Sequence, residues 1–183
     1  MKKYILGIII IISVVLISGC ISNSNNNSEN QTQTLVQNGI SIKYPGTWVI
    51  ANNKNNETIA AVADPKFIDS ETGLGKISVI IQKKALNQAS DNASLEGLFN
   101  QTYKKIFSNS SYTLTAQGYI SIGNYDGFEC YYTVDQNGTV KKQRAVWIAE
   151  GDQLYIILCT APEKEFDSQL KIFDFIITSF KIV

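Results

Sequence analysis

The chain of 183 residues contains no histidine. That absence removes the commonest general base at neutral pH, the Ser-His and Cys-His nucleophile pairs, and most zinc and copper sites. Cysteine is scarce as well, since Cys20, Cys130 and Cys159 are the only three. No long basic run occurs, and sixteen basic residues balance sixteen acidic ones, so the footprint of a nucleic-acid binder is missing. A Gly-rich phosphate loop of Walker or dinucleotide type is also absent, and no motif implies a cofactor. Serine and threonine hydroxyls are present without a partner base. Any chemistry would have to rest on carboxylates, lysines, tyrosines and hydroxyls.

The N-terminus carries an address. Lys2 and Lys3 precede an almost wholly apolar run from Tyr4 to Ile17, which closes in Leu16-Ile17-Ser18-Gly19-Cys20. A charged start, an apolar stretch and small residues before a break form a secretory signal. The cysteine directly after Ser18-Gly19 resembles a prokaryotic lipobox. The expectation is that residues 1–19 are a lipoprotein signal peptide and that Cys20 becomes a lipidated N-terminus. The competing reading is an uncleaved anchor, because the apolar span from Tyr4 to Ile21 is close to the lower limit of about 17 residues for crossing a bilayer. Both readings keep the two lysines in the cytoplasm and place the rest of the chain on the extracytoplasmic face of the cell membrane.

Residues 20–38 are rich in Asn, Ser, Gln and Thr and lack hydrophobic periodicity. Such a segment buries too little apolar surface to offset the entropy of ordering, so it reads as a disordered tether. The folded domain is expected over residues 39–183. In Ile40-Ser41-Ile42-Lys43-Tyr44 apolar residues alternate, giving a strand with Ile40, Ile42 and Tyr44 inward. Pro45-Gly46 turns the chain, and Thr47 to Ile50 forms a second short strand carrying Trp48. Strands follow at Ile59 to Ala63, stopped by Asp64-Pro65, and at Lys76 to Gln82.

The period then changes. Leu95, Leu98, Phe99, Tyr103, Ile106 and Phe107 make one stripe of an amphipathic helix, with Ser94 as its N-cap and Asn100, Gln101, Lys104 and Lys105 facing water. Strands return at Tyr112 to Ile122, Phe128 to Val134, Val140 to Ala149 and Leu154 to Thr160. The breaks Tyr125-Asp126-Gly127, Asn137-Gly138 and Gly151-Asp152 join them as an antiparallel meander. Two-residue turns at the last two breaks set Cys130 opposite Ala145 and Cys159 opposite Arg144. A strand then separates the thiols and they face opposite sides of the sheet, so no disulfide joins them. Thr160-Ala161-Pro162-Glu163 reads as a capping box that starts a second helix, lined by Phe166, Leu170, Phe173, Ile177 and Phe180. Two helices among about eight strands joined mainly by short turns give the fold class α+β, a central antiparallel β-sheet flanked by helices.

Ile-Ser-Ile-Lys-Tyr-Pro-Gly-Thr-Trp at Ile40 to Trp48 resembles the opening signature of the PsbP family, a strand ending in Tyr44-Pro45 with Trp48 three residues on. The order of elements agrees with that family over residues 39–183, from the mid-chain helix through the Ala145-Val146-Trp147 strand to a last helix running into Ser179-Phe180-Lys181. The resemblance, to PsbP-related prokaryotic lipoproteins, implies an α/β/α sandwich and a role that is usually non-catalytic, with Tyr44, Pro45 and Trp48 as structural residues. Its metal-linked histidines have no counterpart here.

Asp64, Asp69 and Glu71 share one loop near Gly73 and Gly75, as a hard-cation site requires. Their spacing matches no EF-hand loop, and a solvated acidic loop accounts for them, so no metal is assigned. Sequons place glycan acceptors at Asn56, Asn92, Asn109 and Asn137, as well as at Asn26, Asn30 and Asn100. Tyr131 and Tyr132 must point to opposite faces of their strand, and coverage of both faces by helices is the simpler account of the tyrosine-rich second half. Lys83-Lys84, Lys104-Lys105 and Lys141-Lys142 read as solvated faces. The functional expectation is a membrane-anchored binding or accessory module without catalysis, acting on an unknown protein or envelope partner. The alternatives are a small extracytoplasmic hydrolase and a solute or metal carrier.

Overall fold

The computed structural model describes residues 31–51, 56–68, 75–86, 94–136 and 138–183. Two sheets are present among them. The larger is built from β3 (Val49–Ile50), β4 (Thr58–Ala63), β5 (Ser78–Ala85), β6 (Tyr112–Ile122), β7 (Tyr125–Gln136), β8 (Thr139–Glu150) and β9 (Gln153–Pro162). Its order is β3-β4-β5-β9-β8-β7-β6, and every neighbouring pair is antiparallel. The smaller sheet joins β1 (Thr32–Gln37), β2 (Ile40–Pro45) and β10 (Lys181–Ile182) in the order β1-β2-β10.

The helices α1 (Leu95–Phe107) and α2 (Glu163–Thr178) lie on opposite faces of the larger sheet. Alternation along β8 shows why. Val146 and Ile148 enter the core under α2, while Ala145 and Trp147 enter the core under α1. The α2 core also takes in Leu35, Ile40, Ile42 and Tyr44, so the smaller sheet shares that layer. Phe166, Phe173, Ile176 and Ile177 of α2 are fully buried; each such side chain contributes about 1.5–3 kcal/mol relative to exposure. α1 packs chiefly on β6, β7 and β8, and the core beneath it reaches Leu154 and Ile156 of β9. A sheet evenly flanked by helices is therefore only part of the picture, because one face shares its cover with a second sheet and the other is covered by its helix at one end.

Several expectations are corrected. Thr32–Gln37 lies within the expected tether but forms β1, paired residue by residue with β2 from Thr32↔Pro45 to Gln37↔Ile40. The turn between them is Asn38-Gly39, with φ of 50° and 79°, the doubly left-handed geometry of a tight hairpin. The remainder of the proposed tether, residues 20–30, and the signal segment lie outside the described residues. Only Val49–Ile50 of the expected Thr47 to Ile50 strand pairs with a neighbour. The β6–β7 turn is at Gly123, φ 60°, and Asn124, since Ile122 pairs with Tyr125; Tyr125-Asp126-Gly127 is strand. Gly127 has a packing reason instead: a Cβ there would stand 3.0 Å from Ile120 Cγ2 and 3.1 Å from the Trp147 carbonyl oxygen.

Thr160 does not cap α2. It belongs to β9, and its hydroxyl accepts a hydrogen bond from Gln143 Nε2; Pro162 occupies the cap position without a side-chain bond. Proline's fixed φ and missing N–H suit a helix entrance, and two acids, Glu163 and Glu165, meet the positive end of the helix in its first turn. By contrast Ser94 caps α1 as expected, its Oγ accepting from Gly97 N at 3.1 Å. The meander register also stands as expected, with Cys130 opposite Ala145 and Cys159 opposite Arg144, and the two thiols in cores on opposite faces.

Candidate functional site

The Tyr44-Pro45-Trp48 signature is a structural fastening. Tyr44 is buried and its hydroxyl donates to Gln33 Oε1 at 2.7 Å, tying β2 to β1, and burial raises its pKa. Trp48 N–H closes the turn onto the Pro45 carbonyl at 2.9 Å, and the indole sinks into the α2 core. Gly46 N–H bonds the Gln31 carbonyl, and a Cβ on Gly46 would lie 2.6 Å from that oxygen, so only glycine fits this approach.

The loop acids do not come together among the described residues. Asp64 Oδ1 accepts from Lys66 N at 3.0 Å and caps the single 3-10 turn Pro65–Phe67. Asp69 and Glu71 lie outside the described residues, as do Cys20, Asn92 and Asn137. Within the described residues no three groups of the His, Cys, Asp and Glu kind are placed to hold a metal ion. Asn56 and Asn109 are exposed, and Asn109 Oδ1 accepts from Ser111 N.

Two of the three lysine pairs, Lys83-Lys84 and Lys141-Lys142, are not the free solvated faces expected of them. Lys84 pairs with Glu57 at 2.9 Å, Lys142 pairs with Asp167 of α2 at 2.9 Å, and Lys83 lies over the Tyr155 ring at 5.5 Å. Lys141 is half-buried, and desolvation, helped by the charge of Lys76, lowers its pKa. The side chains of Lys104 and Lys105 fall outside the described ones.

A charge cluster around a buried arginine went unseen in the sequence. Arg144, on β8, is only 6% exposed in its side chain; its Nε donates to Glu129 Oε2 on β7 at 2.8 Å and its Nη1 donates to Asp174 Oδ1 on α2. The guanidinium also sits 5.2 Å from the centre of the Tyr131 ring. Burial opposes its charge, but Asp174 and Glu129 outweigh that and leave its pKa raised. The one cation is held by both carboxylates, so the cluster fastens α2 to the sheet, with Asp174 at its solvent-facing end. The signal was available: Arg144 alternates with Val146 and Ile148, a charged residue at an inward position of a strand.

Under α1 the chemistry is aromatic. Phe99, Tyr103, Phe107, Phe128, Tyr132 and Trp147 pack ring against ring, with Phe99 and Tyr103 stacked at 4.8 Å. Tyr131 and Tyr132 point to opposite faces and both pack, Tyr131 against Phe166 and Tyr132 against Tyr103. Burial raises the pKa of Tyr103 and Tyr132, and it pushes the Cys130 and Cys159 thiols up to about 12. Thiols so placed stay protonated and unreactive at neutral pH. Trp147 Nε1 is buried without a hydrogen-bond acceptor. Among the described residues, no nucleophile and base lie paired in a cleft.

Among the described residues no helix is long and apolar enough to cross a membrane. None of the curated proteins matches the chain in sequence. Solved structures match in fold. The solution structure of cyanobacterial PsbP from Synechocystis is 14% identical with a TM-score of 0.62, covering 90% of this chain and 100% of that one. LpqN of Mycobacterium tuberculosis, described as involved in cell envelope biogenesis, is 10% identical with a TM-score of 0.60, over 84% of this chain and 91% of that one. The Saccharomyces cerevisiae Ran-binding protein Mog1p is 11% identical with a TM-score of 0.57, over 84% and 96%. The family model described as PsbP-like protein matches residues 5–182, nearly the whole chain; the chain belongs to the PsbP-like family.

Proposed function

We propose that this protein is a membrane-anchored extracytoplasmic lipoprotein whose PsbP-like domain, read as a sheet between helical layers, is a non-catalytic binding or accessory module. In this reading residues 1–19 leave as a signal peptide, Cys20 carries the lipid, and the tether ends where β1 begins at Thr32. The observation that carries the non-catalytic half is that Arg144, the buried charged residue among those described, is held by Glu129 and Asp174 in a cluster that ties α2 to the sheet. Catalysis needs titrating groups left free to act on a substrate. The roles of two relatives of the fold, LpqN in envelope biogenesis and Mog1p in binding Ran, agree with a surface that works by contact.

Mass spectrometry of membrane-extracted protein tests the anchor: the expected N-terminus is a lipid-modified Cys20, and an intact Met1 with unmodified Cys20 would sink it. Crosslinking in cells followed by capture of the full chain is expected to return a protein or envelope partner. Screening against ester, phosphate, glycoside and peptide substrates is expected to show no turnover. Activity that survives repurification and disappears on Glu129→Gln would defeat the non-catalytic reading.

A further inference from the structure

The larger sheet ends differently on its two sides. At one edge stands β3, two residues long, and short edge strands are a usual guard against unwanted pairing. At the other stands β6, eleven residues long. The backbone groups of β6 that face away from β7 have no strand partner among the described residues. Edges of this length are ordinarily guarded by lysine, other charges, proline or a bulge. From Tyr112 to Asn124 there is no Lys, Arg, Asp, Glu or Pro. One bulge is present, between Leu114 and Ala116, and beyond it the seven residues Ala116 to Ile122 run regularly.

Neither helix reaches over this strand fully. Thr113 to Gln117 are five consecutive exposed residues, which on a strand means both faces, and Tyr119 is 70% exposed. The regular segment Ala116 to Ile122 is also centred on Tyr119, and about that centre it complements itself. In an antiparallel pair with Tyr119 opposite its own copy, Gly118 faces the copy's Ile120, and Gln117 faces the copy's Ser121. Gly118 has nothing within 4 Å of the position a Cβ would take, which leaves room for an isoleucine side chain. On the other face a polar residue meets a polar one, and two tyrosines meet at the axis, a cross-strand aromatic pair. The strand itself brings no charged side chain to the seam; the charge nearest the axis is Glu96 of α1, whose carboxylate accepts from the Tyr119 hydroxyl at 2.9 Å.

We propose that β6 is a self-association edge, pairing antiparallel with β6 of a second copy across a two-fold axis at Tyr119 and joining two seven-stranded sheets into one. Such an isologous contact closes on itself and stops at two copies.

The test is site-directed disulfide trapping of the full chain in membranes, read on non-reducing gels against the wild-type background set by the native cysteines. Tyr119→Cys is expected to trap most of the protein at twice its mass. Thr113→Cys is expected to stay at background, because in this register each Thr113 lies twelve residues from its copy, about 40 Å along the strands. Adding Gly118→Lys to Tyr119→Cys is expected to return trapping to background while circular dichroism stays unchanged. The double variant Gln117→Cys, Ser121→Cys gives a second reading of the same register and is expected to trap as well. Absence of trapping at both sites in folded protein would overturn the proposal. So would equal trapping at Thr113→Cys and Tyr119→Cys, or trapping of a species of another mass, which would assign the edge to a different protein.

Discussion

The two faces of the larger sheet are fastened by different physics. Under α2, the aliphatic and aromatic core is bordered by ion pairs, Arg144 with Glu129 and Asp174, and Lys142 with Asp167, whose α2 carboxylates are exposed. Under α1, rings pack on rings, and one polar tie between helix and sheet, Tyr119 to Glu96 at 2.9 Å, lies at the exposed rim. Geometry makes the first face directional, since a guanidinium fork fits two carboxylates in one arrangement. The second is held by contact area, which tolerates small shifts of the helix. The α2 face is also shared with the smaller sheet, so α2 is gripped from β2 as well as from β8 and β9.

Truncating the cores should give the largest effects and separate the faces. Phe173→Ala is expected to cost about 4 kcal/mol and to lower protection throughout the sheet, whereas Phe99→Ala should cost about 3 kcal/mol and loosen chiefly α1 and β6. Denaturant melts combined with hydrogen exchange would check both, and equal spreading from the two sites would erase the distinction.

Breaking the ion cluster comes next. Arg144→Met leaves Glu129 half-buried without its cation and is expected to cost about 3 kcal/mol. Adding Glu129→Gln and Asp174→Asn should recover part of that loss, because the stranded charges go with the arginine. A triple variant no better than the single would mean that packing of the arginine stem, rather than its charge, holds α2.

The thiols offer a comparison in which the faces should agree. Cys130 lies under α1 and Cys159 under α2, and burial pushes both from the ordinary 9.0 up to about 12; Arg144 pulls Cys159 the other way without prevailing. A raised thiol pKa means that the folded protein keeps a proton which the unfolded chain releases. Stability from each thiol is whole below pH 9 and falls as pH rises from 9 toward 12, by about 1.4 kcal/mol per pH unit per thiol. Cys130→Ala and Cys159→Ala should each flatten the alkaline limb of a stability-against-pH curve by a similar slope. The smallest effect belongs to the rim: Tyr119→Phe removes the bond to Glu96 in the open and is expected to leave the denaturant midpoint almost unmoved, against the much larger loss at Arg144.

The meander was legible because its turns carry their own chemistry. Gly151 has φ 59° and Gly138 has φ 81°, so the residues that permit the turns also fix the register, and the opposition of Cys130 to Ala145 follows by counting. β1 was not legible from composition, since Thr-Gln-Thr-Leu-Val-Gln buries Leu35 alone and a polar edge strand looks like a tether. Asn38-Gly39 was its overlooked signature. The capping box failed because Thr160 is an interior partner of Gln143 in β9, a pairing across 17 residues that no local pattern encodes. The Arg144 cluster joins residues 15 and 30 positions away, and only the alternation along β8 hinted that its charge had to point inward.

β1 also has a mechanical consequence. It is the outer strand of the smaller sheet, and any load carried by the chain upstream of Thr32 would enter it at the end where Thr32 faces Pro45. Load applied there opens the hairpin one residue pair at a time toward Asn38-Gly39, instead of shearing all its bonds together. Peeling Thr32 to Asn38 releases seven residues, about 23 Å of chain at about 3.3 Å each, and withdraws one buried side chain, Leu35, from the α2 core. The strand acts as a fuse: a stretch on the N-terminal side shows first as one short extension, while the seven-stranded sheet keeps its shape.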